Sequence, residues 1–354
     1  MSNPTPVLPD RPETSAEDCL RQLTRRDFQT TQEIRWCPGC GDYSILAQVQ
    51  KVLATVGSPR ENTVFVSGIG CSSRFPYYVN TYGFHTIHGR APAVATGVKC
   101  ANPDLSVWVV TGDGDSLSIG TNHLIHCLRR NVDLRILLFN NRIYGLTKGQ
   151  YSPTSDFGLK TKSSPLGTIE QPISPLGLAL AAQATFVART IYADPPHLAR
   201  ILEAAARHRG AAFVEILQNC RVFNEGAFEN VASRAEAEQS RLLLEHGKPI
   251  RFGLGGSKGI AVRDMEPVVV DVNPDDPEPE GILRHNAQAD SPALASLLAA
   301  LMPPAFPTAL GVFRDVQRPT YNELLIGQIQ DSIKRRGSGD LRKLFNAGTT
   351  WQVD

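Results

Sequence analysis

The stretch "RWCPGCGDYS" places two cysteines, Cys37 and Cys40, around a Pro-Gly. That spacing serves a zinc site, an iron–sulfur cluster or a redox disulfide. A zinc ribbon needs a second close pair, but Cys19, Cys71, Cys100, Cys127 and Cys220 stand far apart. A thioredoxin-like pair opens a helix after a strand. A helix is expected after Cys40, but no strand is evident before Cys37. The pair alone leaves all three chemistries open. Pro38 and Gly39 suit a tight turn, and Asp42 is placed to act as N-cap of the following helix.

A second group carries oxygen. "TGDGDS" sets Asp113 and Asp115 in a turn after an apolar run, and "NNRIYG" sets Asn141 at the end of the next run. Mg²⁺ takes oxygen ligands in octahedral geometry, commonly a few protein groups plus phosphate oxygens. Asp113, the Asn141 side-chain oxygen and a main-chain carbonyl near Ile143 would supply three, and a diphosphate most of the rest. Taken singly, Gly-Asp-Gly is an ordinary turn and Asn-Asn an ordinary strand end. On adjacent strands, the two together favour a cation. "HGRAPAVATG" (88–97) opens a helix, whose free N–H groups suit phosphate.

The elements that must position these residues follow from apolar spacing. Helical periodicity covers 42–57, 91–102, 118–131, 175–184 and 195–208. Apolar runs of strand type occupy 62–71, 105–115, 133–141, 185–190 and 212–218. Such alternation predicts an α/β fold, a mostly parallel sheet with helices on both faces, whose ligands bind beyond the carboxyl ends of the strands. Residues 1–29 read as a polar, Pro-rich arm and 30–224 as the α/β domain. Residues 225–354 read as an extension wrapping the core or a partner. Within it, 226–246 is predicted as a charged helix, 250–292 as a Gly-, Pro- and Asp-rich stretch, and 291–302 and 321–337 as helices.

The 354 residues suffice for one large or two ordinary domains. The formal net charge is +1, with Lys and Arg dispersed, so nothing electrostatic points to nucleic acid or a membrane surface. No apolar run approaches the roughly 18 residues of a membrane span, and no secretory signal is evident. Seven cysteines, an odd number, argue for a reducing, cytoplasmic setting over a secreted disulfide framework.

"WCPGCGD", "GIGCSSRFPYY", "HGRAPAVATG", "GDGDSLSIGTNHLIHCLRRN" and "NNRIYGLTKGQYSPTS", in order over about residues 30–225, resemble the β subunits of the 2-oxoacid:ferredoxin oxidoreductases. The resemblance implies a thiamine-diphosphate-binding fold. It implies that Asp113, Asn141 and the Ile143 carbonyl hold Mg²⁺. It also implies that Ile69, Gly70, Cys71, Ser72, His88, Gly89, Arg90 and Ala91 line the cofactor, with Gly114, Asp115, Gly145 and Leu146 touching it. Cysteines at positions matching Cys37, Cys40, Cys71 and Cys220 bind one [4Fe–4S] cluster in the family. Cys19 lies in the arm, and Cys100 and Cys127 read as small packing residues. His123 and His126, on the same helix as Cys127, read as a packing face more than a metal trio. The family's pyrimidine-site Glu comes from a larger α subunit, expected with the CoA contacts in an (αβ)₂ complex.

The implied reaction is CoA-dependent oxidative decarboxylation, with ferredoxin as acceptor. For the substrate, Arg74, Leu146 and Lys148 are the candidate catalytic residues. A dicarboxylate such as 2-oxoglutarate has a second carboxylate that wants a fixed cation, from Lys148 or Arg74. "LTK" stands where pyruvate-type members tend to have Asn-Thr-Gly, which favours the 2-oxoglutarate branch. A pyruvate or broad-range enzyme, a non-redox thiamine-diphosphate decarboxylase subunit and a zinc-stabilised non-catalytic subunit are the alternatives.

Overall fold

The computed structural model describes residues 23–351. The greater part of the expected arm, with Cys19, lies outside the described residues. Of its remainder, Arg25–Phe28 forms a 3₁₀ turn that buries Phe28 completely, and Gln29 bridges to Val79.

Strand and helix alternate through the first two hundred residues. Helix α1 (Asp42–Thr55) precedes β1 (Thr63–Ser67), and a short edge strand, β2 (Tyr82–His85), follows. Next come α2 (Ala91–Ala101), β3 (Ser106–Gly112), α3 (Asp113–Leu117), α4 (Thr121–Arg129) and β4 (Arg135–Asn140). A small hairpin of β5 (Ile143–Tyr144) and β6 (Gln150–Tyr151) then leads through a long loop to α5 (Pro175–Ala181). The pattern resumes with β7 (Phe186–Ile191), α6 (Pro195–Arg207) and β8 (Ala212–Leu217). The strands are rich in Val, Ile and Leu because both sheet faces are covered. Period two divides them: Val64, Val66, Val107, Val109, Ile136 and Leu138 pack with α2, α4 and α5. Phe65, Trp108, Val110, Leu137 and Phe139 pack with α1 and α6.

The C-terminal third differs from the expectation. Residues 226–246 do not form one helix. They make two single turns, α7 (Glu229–Ala232) and α8 (Ala237–Ser240), and then strand β9 (Arg241–Leu244). Ser233 turns extended, and "RLLL" gains more by pairing with a strand than by continuing as a helix. The stretch 250–292 contains a three-stranded antiparallel sheet of β10 (Arg251–Phe252), β11 (Lys258–Arg263) and β12 (Glu266–Asp271). Its hairpin turns at Asp264 and Met265, both with positive φ, a role usually signalled by Asn-Gly. Helix α9 (Ala293–Ala299) packs beside α5, and β13 (Thr308–Asp315) runs antiparallel to β7. The main sheet therefore has the order β2-β1-β3-β4-β8-β7-β13-β9. Helices α10 (Tyr321–Arg336) and α11 (Leu341–Phe345) complete the chain, and Asn322 is the one buried residue of the pair. No described helix is long and apolar enough to cross a membrane.

In the first turn of α6, His197 is 7% exposed, and its Nδ1 lies 2.8 Å from the Thr190 hydroxyl. Burial pushes its pKa down to about 4, from an ordinary 6.5. The unfolded chain binds this proton more readily between those values, so stability falls as pH drops from 6.5 to 4. In His197→Gln that acid limb should be shallower, as read from urea midpoints at pH 7 and near pH 4.5.

Candidate active site

The carboxyl ends of β1, β3 and β4 open into a cleft of about 490 Å³. Ile69, Gly70, Cys71 and Ser72 line it from the β1 loop, Asp113, Gly114 and Asp115 from the β3 end, and Asn141, Ile143, Gly145 and Leu146 from the β4 end. His88 completes this set of sequence candidates, while Gly89, Arg90 and Ala91 lie behind the lining. The Gly89 N–H is turned inward, Arg90 meets His123, and Ala91 is buried at the start of α2.

One carboxylate ties the loops together. Asp115 Oδ1 accepts from the N–H of Gly89 at 2.7 Å and of Ile69 at 3.2 Å, and its Oδ2 accepts from the Thr111 hydroxyl at 2.8 Å. Burial pushes its pKa up, and the Gly89, Thr111 and Ile69 donors oppose that. A Cβ at Gly68 would run into this carboxylate, and one at Gly114 would run into the Tyr144 ring. Gly70 has φ +131 and faces open space, which leaves its backbone free for close approach by a ligand.

Asp113 is buried, and its Oδ2 accepts from the hydroxyls of Ser152 at 2.5 Å and Thr154 at 2.6 Å. Burial raises its pKa, so a cation beside it would remove an electrostatic penalty. The Thr154 hydroxyl also reaches Asn140 Oδ1 at 3.0 Å. Asn140 Nδ2 donates to Glu215 at 2.7 Å, and Glu215 is paired with Arg189 at 2.6 Å. Asn141 holds its side chain by accepting from the Ile143 N–H at 3.1 Å. Carboxylate, amide and carbonyl oxygens on one wall fit a hard, octahedral cation.

The cysteines gather at the cleft's edge. A Cβ at Gly145 would lie 3.4 Å from Cys220 Sγ and 3.7 Å from Cys71 Sγ. Gln218 donates to Cys40 Sγ at 3.1 Å, and Trp36 donates to the Cys71 carbonyl at 2.7 Å. Burial pushes the Cys71 thiol up to about 12, with Asp42, Cys220 and Cys37 adding to it and Arg74 opposing. Cys40 is raised further, by burial and by Asp42. Cys37 is exposed, and none of the described cysteines is in a disulfide. Iron cations would offset these penalties. Among the described residues, no three His, Cys, Asp or Glu side chains are set to close on a single ion. Four cysteines are the ligand set that a [4Fe–4S] cluster would need.

Several residues have places that the sequence did not suggest. Asp42 is not an N-cap. Gly41 occupies that position, and Asp42 is the first helical residue, buried on the cleft wall. Burial pushes its carboxyl up to about 7, with a hydrogen bond from Cys40 opposing. Ser152, Thr154, Thr111 and Tyr144 also went unassigned, although "QYSPTS" offered a run of hydroxyls. Arg74 lines an adjoining pocket that shares Ile69, Gly70 and Leu146 with the cleft. Lys148 faces a separate concavity with Lys160 and Lys162.

Residues 68–216 match the family described as thiamine pyrophosphate enzyme, C-terminal TPP binding domain. The chain is 52% identical over 340 residues to the 2-oxoglutarate oxidoreductase subunit KorB of Mycobacterium tuberculosis, covering 93% of this chain and 88% of that one. It is 50% identical over 190 residues to the 2-oxoacid:ferredoxin oxidoreductase 1 subunit beta of Aeropyrum pernix, covering 54% and 60%. In structure it resembles the 2-oxoglutarate:ferredoxin oxidoreductase from Magnetococcus marinus solved with 2-oxoglutarate, coenzyme A and succinyl-CoA bound. That match has a TM-score of 0.73 at 31% identity, over 93% of this chain and 97% of that one.

Asp115→Asn should keep the fold and release one of the two tied loops. Hydrogen bonds to a charged acceptor contribute roughly 1.5–3 kcal/mol, so thiamine diphosphate affinity by calorimetry should fall about tenfold or more, with unchanged far-UV circular dichroism.

Proposed function

The chain belongs to the β subunits of the 2-oxoacid:ferredoxin oxidoreductases, and we propose that it acts on 2-oxoglutarate and CoA, yielding succinyl-CoA and CO₂ while electrons leave singly for ferredoxin. One observation carries the reading. The Asp113, Asn141 and Ile143 oxygen set and the Cys71 and Cys220 sulfurs border the same cleft, with Gly145 between them. A non-redox thiamine enzyme has no use for the sulfurs, and a zinc-stabilised subunit has none for the oxygens.

Thiamine diphosphate, when bound, supplies the carbanion-stabilising centre that lets a 2-oxo acid lose CO₂. The chain's own residues provide position and charge. Asp113, Asn141 and the Ile143 carbonyl would hold Mg²⁺ against the diphosphate, with Ser152 and Thr154 fixing the Asp113 carboxylate. Asp115 keeps the Ile69 and Gly89 loops in place on either side. Cys37, Cys40, Cys71 and Cys220 would carry the [4Fe–4S] cluster, which places an electron acceptor at the edge of the cofactor cleft.

The cleft is open where Ile119 and Leu146 are exposed. The carboxylates on its wall are Asp42, Asp113 and Asp115, and among the described residues no glutamate lines it. Both features support a larger α subunit that covers the opening and brings the pyrimidine-site Glu, in an (αβ)₂ complex. The free thiols suit a reducing cytoplasm.

Specificity rests with Arg74. Its pocket adjoins the cleft through Leu146, Ile69 and Gly70, so a dicarboxylate bound in the cleft could extend its distal carboxylate there. A pyruvate enzyme would make no use of that cation.

Anaerobic co-expression with the larger subunit tests the reading. Viologen reduction should need CoA and favour 2-oxoglutarate over pyruvate and 2-oxobutyrate. CoA-independent turnover without viologen reduction would overturn it. Cys37→Ser or Cys40→Ser should lower iron and sulfide content and abolish the reduced-cluster electron paramagnetic resonance signal, with thiamine diphosphate still bound. In Arg74→Ala the KM for 2-oxoglutarate should rise about tenfold or more while that for pyruvate stays level. An unmoved ratio would remove Arg74 from substrate recognition.

A further inference from the structure

We propose that the surface formed by Lys148, Lys160 and Lys162 around Val222 and Phe223 is the docking site for an acidic one-electron carrier protein. The proposal rests on the redox reading above and adds where and how the carrier binds.

Lys148, Lys160 and Lys162 share a shallow concavity of about 440 Å³ with Val222 and Phe223. All three lysines are exposed, and none has a side-chain hydrogen bond or ion pair among the described residues. Val222 is 56% exposed and Phe223 37%. An apolar centre rimmed by unpaired cations has the anatomy of a protein interface whose partner is negatively charged. A small anion would use the ammonium groups and have no need of the apolar centre.

The patch is continuous with the cysteine quartet. Val222 and Phe223 follow Cys220 within three residues, and the Asn224 N–H closes that turn on the Cys220 carbonyl at 3.1 Å. The Phe223 ring packs on the loop that carries Lys148, where a Cβ at Gly149 would lie 2.9 Å from Phe223 Cδ1. The other end of the same loop is Gly145, beside the sulfurs of Cys220 and Cys71. Lys148 itself has φ +76, a region that side-chain-bearing residues seldom adopt. Backbone hydrogen bonds from Lys148 N to Gly145 O (3.1 Å) and Gly149 N to Tyr144 O (2.9 Å) hold it there. On the opposite shoulder, Arg221 lies against Gly39, between Cys37 and Cys40, and pairs with Glu225 at 3.2 Å. That pair carries no net charge, so the three lysines leave the face positive. A carrier seated on Phe223 would be separated from the sulfurs by little more than one loop.

The stoichiometry agrees with transient docking. 2-Oxoglutarate and CoA give succinyl-CoA, CO₂, a proton and two electrons, so two carriers must each dock, accept one electron and leave in every turnover. Weak, salt-sensitive complexes steered by charge suit that cycle.

The test uses the holoenzyme with its larger subunit and the double variant Lys160→Glu/Lys162→Glu. Binding of an oxidised, acidic [4Fe–4S] ferredoxin to the immobilised complex should weaken about tenfold at low salt. The difference should vanish at high salt, and Lys160→Arg/Lys162→Arg should bind as the parent does. Viologen reduction and the KM for CoA, with viologen as acceptor, should not change. An unaltered ferredoxin Kd would overturn the proposal. So would a raised KM for CoA, which would assign the lysines to its phosphates, or loss of the larger subunit on purification, which would make the patch a subunit interface. Ferredoxin binding is read without turnover. A parent complex that binds ferredoxin but reduces no viologen would therefore sink the redox reading alone.

Discussion

The Asp115 carboxylate is the constraint on which the site depends. It lies buried at the carboxyl end of the sheet and accepts hydrogen bonds from two loops and from the strand that leads into its helix. A buried carboxylate left unpaired is costly, so these donors are held by more than their own chain stiffness. The Gly68 and Gly89 backbones must come close for the bonds to form, and a side chain at Gly68 would strike the carboxylate. The cofactor loops are thus set by the same requirement that makes the acid tolerable. Asp113 repeats the logic two residues earlier, with Ser152 and Thr154 as its donors.

The cysteine quartet is a different kind of solution. Burial and the Asp42 carboxyl both disfavour thiolates at Cys40 and Cys71. A site that resists its own charged form in the bare chain favours an occupant that brings positive charge. Its position then links chemistry to electron exit. The loop from Gly145 to Gly149 borders the sulfurs at one end and supports Phe223 at the other. One short segment therefore joins the cofactor cleft, the sulfurs and the basic outer face.

Much of this was legible in the amino-acid order. The strand and helix alternation follows from apolar spacing, whereas the oxygen set at Asp113, Asn141 and Ile143 and the four cysteines came from the motifs shared with the family, since the Cys37–Cys40 pair alone left zinc, disulfide and cluster open. Less legible was the C-terminal third. "RLLL" and "TALGVFRD" became β9 and β13 because partner strands were available, which is a property of the folded sheet and not of a window of residues. The Asp264–Met265 hairpin used a turn without its usual Asn-Gly signal. Asp42 looked like a cap, but it sits one position inside the helix, against the sulfurs.

By itself, the sequence determined the strand and helix alternation and which ligand types stand at each strand end or turn, since these are local properties. Only the tertiary structure decided how those groups share an environment. It set Ser152 and Thr154 on Asp113, linked Asn140 through Glu215 to Arg189, and brought Cys71 and Cys220 together beside Gly145. It also separated Arg74 from Lys148, two cations that look equivalent in the sequence: one adjoins the cleft and the other faces outward with Lys160 and Lys162. Burial, and with it the charge each group can bear, depends on contacts between residues far apart in the chain, so no local pattern could have fixed it.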